Sequence, residues 1–276
     1  YIPRFFWTNN SDELCILTMN RHQNDLRFLI TEGEFPNNRI GTVEIFKETC
    51  NTYIDIHDNL IFLEDGKSFL WTSERDGYNH IYKFGFDGSV DQLTKGEWDV
   101  LDFMGYDERR MSCYFSSSMF GPTQKHLHRV DLNGNITTLD ETPGHHGANF
   151  SSTFSYSIYN YSNANTPPVY TLRDRNGRTL RTLKDNAALV EKLENYNYSE
   201  KRFFTFTNDA GVELNCWMIP PHNVEPGVEY PVYVAIYGGP GVNTVQDSWG
   251  GTGHMWHQYL AQEGYVVASV DPRGTP

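Results

Sequence analysis

At 276 residues the chain is long enough for one large or two ordinary domains, and its 14% aromatic content and recurring apolar segments exclude a disordered chain. A net charge of -13 at pH 7 leaves no basic stripe for nucleic acid, and no apolar run reaches membrane-spanning length. The first residue is Tyr1 rather than methionine, and we expect a fragment of a longer protein, cut at both ends. Cys15, Cys50, Cys113 and Cys216 are scattered without metal-site spacing and read as small core residues.

Leu14–Met19 and Leu26–Thr31 predict a first pair of strands. A regular order follows. Phe69–Arg75 and His80–Phe84 read as strands, then a turn at Asp87-Gly88, then Val90–Leu93. The same order returns as Met111–Ser116, Leu127–Asp131, Asn133-Gly134 and Ile136–Leu139. It returns again as Tyr156–Tyr161, Val169–Arg173, Asn176-Gly177 and Leu180–Leu183. Asp-Gly and Asn-Gly are strong hairpin signals because both residue types tolerate positive φ. Their recurrence at roughly 45 residues is the period of four-stranded propeller blades. A β-sandwich of similar hairpins is the alternative, and the fixed period weighs against it. Residues 1–190 are therefore expected to be the C-terminal blades of a β-propeller.

Asn186–Tyr196 has helical spacing, with Leu189, Val190 and Leu193 near one face, and reads as a linker. Arg202–Thr207 and Val212–Ile219 predict a hairpin around Asn208-Asp209-Ala210-Gly211, closed by Pro220-Pro221. Tyr230–Ile236 reads as a buried strand of a parallel sheet, followed by the turn Tyr237-Gly238-Gly239-Pro240-Gly241. A helix with Trp256, Tyr259 and Leu260 near one face, stopped by Gly264, leads to a second strand, Gly264–Asp271. Residues 191–276 are expected to begin an α/β-hydrolase domain. Open α/β sheets place their sites at the carboxyl ends of strands, where Tyr237 falls.

The segments Leu70-Trp71-Thr72-Ser73-Glu74-Arg75-Asp76-Gly77-Tyr78-Asn79-His80-Ile81-Tyr82 and Gln92-Leu93-Thr94-Lys95-Gly96-Glu97-Trp98-Asp99-Val100 closely resemble propeller segments of the dipeptidyl peptidase IV family of serine peptidases, in its bacterial style. Tyr237-Gly238-Gly239-Pro240 resembles that family's oxyanion-tyrosine loop, and Asp271-Pro272-Arg273-Gly274 its D-x-R-G turn. The resemblance implies a serine exopeptidase that releases dipeptides from free amino termini, preferring proline or alanine as the second residue. A serine, histidine and aspartate would act in sequence, and Tyr237 would donate a hydrogen bond to the tetrahedral oxyanion. No G-x-S-x-G nucleophile elbow occurs in the chain, so the nucleophile and its partners are expected in other parts of the parent, and this fragment is expected to be inactive alone. The resemblance implies peptide substrates, no cofactor, dimerisation of the full-length protein, and a periplasmic, cell-envelope or secreted location. A prolyl tripeptidyl peptidase and a non-catalytic binding protein of the same architecture are the rival readings.

Other features have ordinary explanations. Pro240 removes a backbone donor, and no Walker lysine follows the glycines, so they do not read as a phosphate cradle. His254 and His257 read as packing or surface residues rather than metal ligands, and no metal site is expected. His145-His146-Gly147 reads as a turn between blades, and His126 and His128 share a strand face without an assigned role. Glu74, Arg75 and Asp76 read as solvated loop ties. Trp249 and Trp256 read as packing residues.

Overall fold

A computed structural model describes residues 1–33, 41–196, 198–239 and 241–275. Four antiparallel sheets of four strands come first, each a meander of sequence neighbours. They are β1–β4 (Arg4–Trp7, Leu14–Met19, Asp25–Glu32, Gly41–Thr49), β5–β8 (Ile61–Phe62, Ser68–Ser73, His80–Gly85, Val90–Gln92), β9–β12 (Val100–Asp107, Ser112–Ser117, His126–Asp131, Ile136–Thr138) and β13–β16 (Tyr156–Asn163 and Thr166–Asp174 being β14 and β15, between His145–Phe150 and Thr179–Lys184). This is the sheet pattern of a propeller-like region. The hairpin turns share a device that goes beyond the glycine. Asp131 accepts the N–H of Asn133 and Asn135, and Asp174 accepts those of Asn176 and Arg178. Asn208 does the same for Ala210 and Val212. Each side chain mimics a backbone carbonyl and fixes the register of the strands around it.

His145-His146-Gly147 corrects our expectation. These residues open β13, paired with Ser162, Tyr161 and Asn160 of β14. Six paired positions hold the strand, and tertiary pairing overrides the local turn signal.

By internal contacts the chain divides into two compact units, Tyr1–Phe115 with Arg129–Thr137, and Ser116–His128 with Thr138–Pro276. In the first, all six residues of β6 are buried. Alternation sends Phe69 and Trp71 into a core with Leu17, Leu26, Phe28 and Phe84, and sends Leu70 into a second core with Ile81, Cys113, Phe115 and Val130. A strand covered on both faces reads as a continuous apolar run, which is why Phe69-Leu70-Trp71 stands out. Phe28 meets Trp71 edge-on at 5.0 Å and Phe46 at 4.9 Å, contacts worth about 0.5–1.5 kcal/mol each beyond burial. The Arg75 guanidinium lies 4.8 Å from the Phe84 ring centroid and 5.4 Å from that of Tyr82. It therefore caps this aromatic core instead of tying loops through solvated ion pairs. Cys15, Cys113 and Cys216 are buried and free, as expected of small core residues, and Cys50 is half-buried.

In the second unit β13–β16 are followed by helix α1 (Ala187–Glu194) and a mixed sheet. Its strands are β17 (Arg202–Thr207), β18 (Glu213–Ile219), β19 (Val232–Val234) and β20 (Val266–Val270), in the order β17-β18-β20-β19. Helix α2 (Gly251–Gln262) connects β19 to β20, which run parallel. Parallel pairing was expected, burial of the Tyr230–Ile236 strand was not found. Val232, Tyr233 and Val234 are 60%, 41% and 54% exposed, because β19 lies at the sheet edge. The buried face of α2 also differs from the apolar pattern. His254, Gln258 and Ala261 face inward, while Trp256 and Tyr259 stack on each other at the surface. Gln258 can be buried because it is fully paired, accepting from Ser199 N–H (3.0 Å) and donating to Ser199 O (2.6 Å). No helix among the described residues is long and apolar enough to cross a membrane.

Candidate functional site

The site begins where β19 runs out. Ala235 N–H donates to Ala268 O at 2.8 Å, carrying the parallel ladder one step further, and Ile236 and Tyr237 then leave the sheet at its carboxyl end. Gly238 turns the chain at φ 77°, a left-handed conformation costly for any side-chain-bearing residue. A Cβ at position 239 would come within 3.2 Å of the Tyr237 ring, so Gly239 gives the ring its place against the loop. Pro240 lies outside the described residues. The Tyr237 side chain is 60% exposed, and its hydroxyl has no hydrogen-bond partner among the described residues.

The loop after Tyr237 is fixed by Asp271, the residue that follows β20. One carboxylate oxygen accepts the Thr244 N–H (2.8 Å) and hydroxyl (2.6 Å), and the other accepts the Val245 N–H (2.9 Å). Hydrogen bonds to an ionised acceptor are roughly twice as strong as neutral ones. The Thr244 hydroxyl also meets Ser269 Oγ at 3.1 Å, and its carbonyl accepts Trp217 Nε1–H at 3.1 Å. Val245 is fully buried with Trp217, Ile219, Ala261 and Val267. The segment that carries Tyr237 is thus fastened to the sheet core a few residues downstream.

Asp247 supplies a second anchor. Its carboxylate accepts from Ala164 N–H (2.8 Å) and Gln124 Nε2 (3.2 Å), while its own N–H donates to Thr123 O (2.8 Å). Asn243 Nδ2 donates to Pro122 O at 2.8 Å. Residues 243–247 are therefore stitched to the segment before β11 and to the β14–β15 turn. Lys201 packs its ammonium over Trp217 at 4.9 Å, and burial pushes its pKa down to about 8 against the pull of Asp247. Sequence reasoning singled out neither Asp247 nor Lys201, and nothing local marks them.

His254 and His257 are brought near each other but serve as packing residues, as expected. His254 lies against Trp249 (5.1 Å) and Tyr198 (5.2 Å), and His257 against Trp217 (5.2 Å). Burial, aided by Lys201 and His257, pulls the His254 pKa down to about 3. An unfolded histidine titrates near 6.5, so acid adds a proton to the unfolded chain that the folded one refuses. The stabilisation tied to neutral His254 is complete above that unfolded value and is lost as pH falls toward the folded one. The thermal midpoint of the full-length protein should decline across that window, and His254→Gln should shrink the decline. Superimposable acid limbs in the two proteins would exclude His254 as a source of the lability.

Chemically the arrangement offers one positioned phenol donor at a strand end.

Residues 1–168 match the family described as dipeptidyl peptidase IV (DPP IV) N-terminal region. The chain is 32% identical over 233 residues to dipeptidyl peptidase 4 of Trichophyton equinum, covering 79% of this chain and 30% of that protein. It is 30% identical over 287 residues to the probable dipeptidyl peptidase 4 of Emericella nidulans, covering 97% and 36%. It superposes over its whole length on 38% of the dipeptidyl peptidase 4 of Porphyromonas gingivalis, with a TM-score of 0.91 and 35% identity. A putative dipeptidyl aminopeptidase IV from Bacteroides ovatus gives 0.86 and 25%, with 42% of that chain covered. The chain thus spans 30% to 36% of the length of these curated relatives. Sheets and matches together define the propeller-like region of a peptidase-related protein. The chain belongs to the dipeptidyl peptidase IV family.

Proposed function

We propose that the chain is part of a serine exopeptidase that releases amino-terminal Xaa-Pro and Xaa-Ala dipeptides by way of an acyl-enzyme. The observation that carries this reading is the Tyr237 hydroxyl, without a partner among the described residues, at the carboxyl end of β19 on a loop pinned by Asp271. An oxyanion donor must be preorganised and must not be spent on a partner within the fold, and the reading is supported by a Tyr237 hydroxyl without a partner among the described residues on a loop that Asp271 ties to the sheet. In this reading residues 1–190 supply propeller sheets and residues 191–276 begin an α/β-hydrolase sheet. The parallel β19–α2–β20 connection supports that assignment, as does the exposed apolar edge of β19, which suits a further strand. Serine, aspartate and histidine come from other parts of the parent, so residues 1–276 alone do not turn over substrate. The parent acts on peptides with free amino termini, in the periplasm, at the cell envelope or after secretion.

The test uses the full-length protein with chromogenic Gly-Pro and Ala-Ala-Pro substrates and a fluorophosphonate probe. Covalent labelling with preferential Gly-Pro cleavage is expected. Efficient cleavage of the tripeptide alone would make the parent a tripeptidyl peptidase, and absence of labelling would make it a binding protein.

A further inference from the structure

The start of β11 and the start of β13 meet in a short parallel bridge between Lys125 and His145. Lys125 N–H donates to Gly144 O (3.1 Å), and His146 N–H donates to Lys125 O (2.9 Å). The bridge sets His126 and His146 side by side, with ring centroids 4.9 Å apart and 3% and 2% exposure. Asp140, just past β12, reaches between them. Its Oδ1 lies 2.7 Å from His126 Nδ1 and 3.0 Å from His146 Nε2. The Thr142 carbonyl lies 2.6 Å from the same His146 nitrogen. Nineteen intervening residues between the two histidines hide this convergence from any motif search, which is why our sequence reading placed no metal here.

We infer that His126, Asp140 and His146 form a binding site for a divalent transition cation, with zinc the best match, and that the ion fastens β13 to β11.

Two imidazole nitrogens and a carboxylate oxygen make a donor set that zinc favours, and the Thr142 carbonyl oxygen, 2.6 Å from the His146 nitrogen, is at hand as a fourth ligand. Calcium and magnesium prefer shells built wholly of oxygen, which two imidazoles do not provide. Ligand-capable atoms of the three side chains lie within 4.8 Å of one another. Zinc–ligand bonds of about 2.0–2.2 Å put tetrahedral neighbours about 3.3 Å apart. The distances of 2.6 to 3.0 Å therefore need to widen by about 0.3 to 0.7 Å.

The surroundings orient the ligands as an ion requires. Leu127 N–H donates to Asp140 Oδ2 at 3.1 Å, leaving Oδ1 aimed at the histidines. The far nitrogen of His146, Nδ1, is paired with the Tyr159 hydroxyl. Such outer partners set the tautomer of a metal-bound imidazole. Phe120 rests against the His126 ring at 4.7 Å. On binding, each neutral imidazole keeps its proton on the nitrogen facing away from the ion, Nε2 in His126 and Nδ1 in His146. Tyr159 then accepts, and Asp140 supplies the negative charge.

The same atoms can also satisfy one another by hydrogen bonds alone, and the experiment separates the two cases. Full-length untagged protein is stripped with chelator, exposed to zinc, dialysed, and its metal measured by mass spectrometry. The wild type should retain about one zinc more per chain than His126→Ala, and more than Asp140→Asn, which keeps the shape of the side chain while exchanging one acceptor oxygen for an amide donor and removing the charge. Zinc should raise the thermal midpoint of the wild type and leave both variants unmoved. Should His126→Ala fail to fold, Asp140→Asn and the visible cobalt(II) spectrum of the stripped wild type, bleached by zinc, decide the matter. Equal zinc retention in wild type and a folded variant overturns the site, as does a stripped wild type that takes up neither zinc nor cobalt.

Discussion

Replacing Tyr237 with phenylalanine in the full-length protein is expected to lower kcat by about 10²–10³-fold, the usual effect of deleting one oxyanion donor. The thermal midpoint should stay where it is. The hydroxyl bonds to nothing among the described residues and the side chain is exposed, so the fold does not depend on the lost oxygen. A donor that strengthens only as charge develops raises kcat rather than tightening substrate binding, so KM should change little. Steady-state kinetics on a Gly-Pro substrate, paired with a thermal melt, checks both halves. Undiminished kcat would remove Tyr237 from the reaction.

Asp271→Ala should harm both stability and turnover. The N–H groups of half-buried Thr244 and buried Val245 lose their acceptor, and an orphaned buried donor costs about 1–3 kcal/mol. A loss of about 3 kcal/mol or more in urea titration is expected. The loop that carries Tyr237 is released at the same time, and a misplacement of about 1 Å can cost about 10²-fold in rate. On the proposed function the expected signature is a joint loss of stability and turnover, because the same three hydrogen bonds hold the loop to the sheet. Wild-type stability together with wild-type kcat would show that the loop is held without Asp271.

The inner strands of the antiparallel sheets were legible because two signals agree on them. Phe69-Leu70-Trp71 and its counterparts are apolar runs, and in the second, third and fourth sheets Asn-Gly or Asp-Gly precedes the last strand. The first strand of each sheet carried neither signal. β1 and β5 are short, and β13 opens on His145-His146-Gly147, a sequence whose strand character comes from its pairing with β14. On α2 the apolar pattern pointed to Trp256 and Tyr259, but the buried face belongs to His254 and Gln258, whose partners no local window contains. The Tyr237 turn was readable from its glycines. What holds it was not, because Asp271 binds residues 27 and 26 positions away, and Asp247 reaches across 83 and 123.

Those long reaches of Asp247 bear on how such a chain can be recombined. A crossover placed in the linker helix would separate Asp247 and Asn243 from Pro122, Thr123, Gln124 and Ala164. A chimera joining this C-terminal portion to a relative's sheets would inherit one half of the stitching from each parent. Breakpoints that respect the hydrogen bonds must transplant residues 122–124 and 162–165 together with the mixed sheet, so inheritance here follows a spatial seam that cuts the sequence into interleaved pieces.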